Sequence, residues 1–262
     1  MDIEKAIELM AQAAREAGDM LHDMQPRAQR LDAAKDFLSD ADLLSENAIL
    51  GLLQDRYPDI PALSEEAGGD RIMEGYLWII DPVDGTQNYF SQEDQYGVSI
   101  ALVHNGQTVA GVIYLPAKKQ LFSASSATPA TVRIEEEPPR PVHVKETAIR
   151  FLIEWGKEEH GGQDHARVYE IIAKLDRYAG YTLPPQIRGS ATASMMLVAQ
   201  GLFAGLVAPK PDPFDIAAAC LIVERAGGKV TDMEGNPWTP FSKGIVASNA
   251  VAHQDLLRII RD

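Results

Sequence analysis

One cysteine in 262 residues excludes a disulfide within the chain. That residue, Cys220, sits in the apolar run Ala217-Ala218-Ala219-Cys220-Leu221-Ile222, with no histidine or charge beside it to lower its pKa. It reads as a small buried hydrophobe, not a catalytic thiol. No stretch approaches the roughly 20 apolar residues that span a bilayer. The start, Met1-Asp2-Ile3-Glu4, has no basic region followed by an apolar core, so the expected location is the cytoplasm. Basic residues are also scarce: 24 against 38 acidic ones give a formal charge of -14. That balance disfavours nucleic acid and anionic membrane as partners. An anionic substrate would need local help from metal ions or helix N-termini. There is no internal repeat and no long low-complexity segment, and the six histidines form no ligand motif on a helix. His160-Gly-Gly-Gln-Asp-His165 reads either as a metal pair or as a polar, glycine-containing loop.

What is present is enough apolar material, 45% of the chain, to fill one large core or two coupled ones. Ile3, Ile7, Met10, Ala14, Ala17 and Leu21 recur at helical spacing over residues 3 to 24, and Pro26 stops the pattern. A second helix is expected from Asp40 through Leu43, Leu44, Ala48 and Leu52 to Tyr57, where Pro58 ends it. Gly97 to His104 and Thr108 to Leu115 flank an Asn105-Gly106 hairpin turn, and Leu121 to Ala124 adds a third antiparallel strand. Residues 123 to 141 read as an exposed loop or edge hairpin. A boundary is placed near residue 143, giving an N-terminal part over 1–143 and a C-terminal part over 144–262. Beyond it, helical spacing at Val168 to Leu175, Ser190 to Gln200 and Phe214 to Ala226 alternates with strands at Gly205 to Ala208, Lys229 to Thr231 and Gly244 to Ser248.

The run Trp78-Ile79-Ile80-Asp81-Pro82-Val83-Asp84-Gly85-Thr86 sets two carboxylates three residues apart after an apolar strand, then adds a glycine and a hydroxyl. Pro82 cannot continue a sheet ladder, so the chain is expected to turn there and aim Asp81 and Asp84 at a common point. Hard cations such as Mg²⁺ take oxygen ligands in such a cluster. The same dipeptides are also ordinary turn chemistry. Three further acidic groups stand at element ends: Asp36/Asp40/Asp42, Ser64-Glu65-Glu66 and Asp212/Asp215. Carboxylates buried together are pushed towards their neutral form unless cations balance them, so a cluster assembled by folding implies metal. Each group is otherwise surface charge or a helix cap, as Asp40 and Asp215 suit the helices they open.

Glu65-Glu66, then Trp78 to Tyr89, then Phe214-Asp215-Ile216-Ala217-Ala218 with Glu224-Arg225-Ala226-Gly227-Gly228, resembles the inositol monophosphatase family of Mg²⁺-dependent, Li⁺-sensitive phosphatases. The blocks occur in order across essentially the whole chain. The resemblance implies an α/β (α+β) fold of the fructose-1,6-bisphosphatase type, a layered α/β/α/β/α sandwich, and a homodimer. It also implies two to three Mg²⁺ ions per subunit. Glu65, Asp81 and the Val83 carbonyl would hold the first, and Asp81, Asp84 and Asp215 the second; Glu65 would share a weaker third. Asp42 matches the acidic partner of the motif threonine, Thr86, while Gly85 and Thr86 match the phosphate-binding backbone. Arg188 to Ser194 resembles the substrate-side loop, which puts Ala191, Thr192 and Ala193 near the leaving group.

The implied reaction is hydrolysis of a small polyol or sugar phosphate by metal-activated water, positioned by Thr86, Asp42 and Glu65. The substrate side departs from the family pattern. Inositol-selective members carry a glutamate where ungapped counting back from Asp215 reaches Ala208, and Pro209-Lys210-Pro211-Asp212-Pro213 follows. Lys210 reads as a contact for an anionic substrate or as a solvated loop lysine. A fructose-1,6-bisphosphatase and a 3′-phosphoadenosine nucleotidase are the neighbouring activities, and a non-catalytic, metal-stabilised binding or scaffold protein is the reading from another class.

Overall fold

The computed structural model describes residues 1–25, 40–154, 163–177 and 183–261. The Lys35–Ser39 part of the acidic patch, with Asp36, and the side chains of the His160/His165 pair lie outside them. Helix α1 (Ile3–Met24) starts on Asp2, whose carboxylate accepts the Lys5 N–H at 3.2 Å, and buries the small apolar face the spacing predicts. Helix α2 (Asp40–Arg56) has the expected bounds but not the expected face. Leu43 and Leu44 are 44% and 46% exposed, whereas Asp42 and Glu46 are 2% and 4% exposed. The helix turns a polar stripe inward because that stripe meets the end of the motif strand. Ser45 Oγ donates to the Pro82 carbonyl at 2.8 Å.

Strands β1 (Ala62–Ser64), β2 (Tyr76–Asp84), β3 (Gly97–His104), β4 (Gln107–Leu115), β5 (Gln120–Ser125), β6 (Thr131–Ile134) and β7 (Arg140–Pro141) form one sheet in sequence order. Only β1 against β2 is parallel. The expected turn at Pro82 is corrected: β2 runs on to Asp84. The register slips between Asp81↔Ser99 and Asp84↔Gly97, so Pro82 sits in a bulge where no ladder hydrogen bond is asked of it. Helix α3 (Thr86–Phe90) follows at once. The second sheet, in the order β10 (Lys229–Thr231), β11 (Ile245–Ser248), β9 (Gly205–Ala208), β8 (Phe151–Ile153), pairs β8 with β9 in parallel and the rest antiparallel.

Alternation along β2 assigns the layers. Trp78 and Ile80 pack with α1 and α2, while Leu77 and Ile79 join the core of α5 (Ala191–Ala199) and α6 (Pro213–Arg225). That middle core continues into Leu206 and Ile245 of the second sheet, so residues from both sides of position 143 share it. Phe151, Ile153 and Val207 face a third core with α4 (Gln163–Arg177) and α7 (His253–Arg261). The order is therefore α/β/α/β/α, as the resemblance implies. β1, β8 and α7 have no counterpart in the sequence reading. Cys220 lies fully buried in α6, and burial pushes its thiol well above the usual range. Among the described residues no helix is long and apolar enough to cross a membrane.

One buried contact makes the outer layer sensitive to acid. His253, at the start of α7, bonds Ser248 Oγ through Nδ1 at 2.9 Å and Thr231 Oγ1 through Nε2 at 3.0 Å. Burial, then Lys229, lowers its pKa to about 4 from 6.5. The unfolded chain takes up the proton first, so this contribution is complete above pH 6.5 and is lost as pH falls towards 4. His253→Gln is expected to flatten that part of the stability profile, removing a slope of about 1.4 kcal/mol per pH unit at most, and with it the matching fall in melting temperature. Thermal melts of both proteins from pH 7 to 4 check it; parallel profiles would contradict it.

Candidate metal centre

The bulge at the end of β2 and the start of α6 bring three carboxylates together. Asp81, Asp84 and Asp215 each offer one oxygen, and these oxygens lie within 4.8 Å of one another. Asp81 and Asp84 are buried. Burial pushes the Asp81 carboxyl well above the usual carboxylate range, and the neighbouring Asp84 and Asp215 charges push it further. Asp84 is raised by burial too, against donors that favour its ionised form. Those donors are the hydroxyls of Ser190 and Thr192 and the Thr192 N–H at 2.9 Å, all on Oδ2, together with the Ala191 N–H. Asp215 is tied down by its own helix start: its Oδ2 accepts the Asp212 N–H at 2.9 Å. Asp212, not Asp215, is the N-cap of α6, so Asp215 stands inside the first turn and not at the cap that sequence suggests.

An all-oxygen set whose members repel one another suits a hard cation such as Mg²⁺, which balances charge that the buried site otherwise leaves exposed to itself. Val83 belongs to the same turn. Its N–H donates to Asp81 Oδ1 at 3.0 Å, and its carbonyl accepts the Thr86 hydroxyl at 2.9 Å. Gly85 holds φ at 82°, and a Cβ there would fall 2.7 Å from the Gln95 carbonyl oxygen and 2.9 Å from Ser190 Cβ. Gly85 and Thr86 thus open α3 beside the carboxylates.

Glu65 follows β1, half-buried, with its N–H on the Ile80 carbonyl at 3.2 Å, and it is not one of the three residues within 4.8 Å. Asp42 lies buried on α2, and its charge reaches Asp81 and Glu66. Glu66 is pushed up to about 7, by burial first and then by Asp42 and Glu46. Ala191, Thr192 and Ala193 form the buried first turn of α5, capped by Ser190, which accepts the Ala193 N–H at 3.2 Å. Lys210 is exposed on the loop between β9 and α6.

Three site residues escape the sequence reading. Glu46 accepts the Ser64 hydroxyl and the Ala67 N–H at 2.9 Å, which braces the Glu65-Glu66 segment. Its place four residues after Asp42 on one helix face was the available signal. Asn88 Nδ2 donates to the carbonyls of Gln95 at 2.7 Å and Arg188 at 2.8 Å, which joins α3 to the substrate-side loop. Glu154, buried after β8, accepts the Gly189 N–H at 3.0 Å, the Arg188 N–H at 3.2 Å and the Ser194 hydroxyl. Burial pushes Glu154 up to about 7 in spite of these donors. A lone acid after a three-residue strand carries no local signal of such a task.

The model of the inositol monophosphatase family matches residues 2–262. A Xylella fastidiosa relative named Nus factor SuhB is 33% identical over 236 residues, covering 88% of this chain and 82% of its own length. The fructose-1,6-bisphosphatase/inositol-1-monophosphatase of Thermotoga maritima is 30% identical over 231 residues, covering 87% of this chain and 84% of its own length. Among solved structures, an inositol monophosphatase from Anabaena (Nostoc) sp. PCC 7120 is similar with a TM-score of 0.84 at 28% identity, over 100% of this chain and 97% of that one.

Proposed function

Because this chain belongs to the inositol monophosphatase family and shares its fold, we propose that it is a Mg²⁺-dependent phosphomonoesterase acting on a small polyol or sugar phosphate. The observation that carries the reading is the trio Asp81, Asp84 and Asp215 with one oxygen each within 4.8 Å. In this reading these three, Glu65 and the Val83 carbonyl hold two to three ions. When bound, Mg²⁺ lowers the pKa of water and neutralises charge on the phosphoryl and leaving oxygens. The chain's own residues do the positioning. The N–H groups of Gly85 and Thr86 receive the phosphate at the start of α3. Glu65 accepts the proton of the attacking water, and Thr86, with Asp42 behind it, holds that water in line with the bond to be broken. Ala191, Thr192 and Ala193 flank the leaving group at the start of α5.

Ungapped counting back from Asp215 puts Ala208 where inositol-selective members carry a glutamate, and alanine offers no side-chain oxygen to a sugar hydroxyl. Lys210 beyond it suits a second anionic group, which keeps bisphosphates and 3′-phosphonucleotides among the candidate substrates. A panel of mono- and bisphosphate esters, assayed for phosphate release with and without Mg²⁺, tests the proposal. Release that requires Mg²⁺ and is fastest on sugar or polyol esters is expected, and the order of rates, 3′-phosphonucleotides included, names the substrate class. The Nus factor name of the Xylella relative motivates a second, non-catalytic reading, which predicts no release from any ester. The proposal includes a cytoplasmic homodimer that engages neither nucleic acid nor membrane. Sedimentation at two concentrations checks the assembly.

A further inference from the structure

We infer that Glu154 is a positioning residue: through the turn at Arg188 and Gly189 it sets the hydroxyls of Ser190 and Thr192 on Asp84, and so tunes the metal site from the far side of the chain. The inference rests on the metal reading of Asp84 above. Its basis is a relay of hydrogen bonds whose side-chain members, Glu154, Ser190, Thr192, Ser194 and Asp84, are all buried. Glu154 takes the Arg188 N–H at 3.2 Å on Oε1 and the Gly189 N–H at 3.0 Å on Oε2, and Oε1 also accepts the Ser194 hydroxyl. The same carboxylate therefore grips both ends of the segment that carries Ser190 and Thr192.

The opposite side of that segment is held as well. Asn88 donates to the Arg188 carbonyl at 2.8 Å, and Gly189 holds φ at 74°, a left-handed backbone that strains any side chain, with Asn88 Oδ1 a tight 3.1 Å from where a Cβ would sit. With the turn clamped between Glu154 and Asn88, Ser190, Thr192 and the Thr192 N–H have one arrangement in which all three donate to Asp84 Oδ2. Three donors on one oxygen hold the carboxylate that stands with Asp81 and Asp215 in the candidate metal centre. Outer partners of metal ligands typically govern about 10–100-fold in metal affinity.

Binding of Mn²⁺ alone, measured by calorimetry on the full chain, reads this directly. Glu154→Gln turns one acceptor into a donor facing a backbone N–H, and about ten-fold weaker Mn²⁺ binding is expected with the cooperative melt kept. Glu154→Asp keeps the charge but shortens the reach, so it separates positioning from through-space attraction. It is expected to lose affinity as well, and wild-type affinity in this variant would overturn the inference. His253→Gln serves as the structural control, with altered acid stability and an unchanged Mn²⁺ constant. Should Glu154→Gln not fold, Ser194→Ala decides by the same readout. Unchanged binding in the folded variants overturns the inference alone, whereas no Mn²⁺ binding by the wild type overturns both it and the metal reading.

Discussion

Asp84→Asn is expected to lower Mg²⁺-dependent phosphate release by about a thousandfold while the metal-free protein melts no earlier than the wild type. The two halves of this expectation have one cause. Asp84 Oδ2 carries the donors from Ser190 and Thr192, and an asparagine oxygen can keep them, so the loop stays in place. What changes is the other side, where an amide N–H would replace the oxygen offered to the cation beside Asp81 and Asp215. Without metal the trio is self-repelling, and the raised carboxyls of Asp81 and Asp84 gain protons more readily folded than unfolded. That contribution is present at low pH and is lost as pH rises through the folded values, so removing one charge helps most near neutrality. Phosphate-release rates and melts in EDTA check both halves. Activity within tenfold of wild type, or an early melt in EDTA, would contradict the assignment.

Gly85→Ala is expected to cost about 1–2 kcal/mol from the left-handed backbone alone, and at least a hundredfold in turnover. The added Cβ would meet the Gln95 carbonyl at 2.7 Å and Ser190 Cβ at 2.9 Å. Relief has to come from moving Ser190, which bonds Asp84, or from tilting the first turn of α3, whose N–H groups receive the phosphate in the proposed reaction. Gly51→Ala is the matched control. It sits within α2 at ordinary φ with nothing inside 4 Å of the new Cβ, and about 0.5–1 kcal/mol of added stability is expected there. Chemical denaturation and initial rates on both variants decide the matter. Gly85→Ala with normal turnover would show that the turn does not position the phosphate.

Much of the site was legible because its residues are neighbours in sequence. Asp81, Asp84, Gly85 and Thr86 fall in six residues at the end of an apolar strand, so their convergence could be expected from sequence even though the device that achieves it was not the expected turn. Asp215 lies far along the chain; the sequence placed it at a helix start, but took it for the cap where Asp212 holds that position. The errors arose where a function overrode a local rule. Pro82 ends most strands, yet here a bulge absorbs it, and that bulge is what brings Asp81 and Asp84 to one side. Counting apolar residues pointed the wrong face of α2 inward, because the inner face is reserved for Asp42, Ser45 and Glu46. Glu154 had no signal at all: its partners stand 34, 35 and 40 residues away and are mostly backbone N–H groups, which composition cannot reveal.

The central claim is that three clustered carboxylates, two of them buried, make this chain a metal-dependent phosphatase. Its most direct test is phosphate release from the ester panel by protein stripped with EDTA and then titrated with Mg²⁺. The account predicts no release from the stripped protein, saturable restoration by Mg²⁺, and no restoration in Asp84→Asn over the same range. Release that persists without metal, or none from any ester at saturating Mg²⁺, would contradict it.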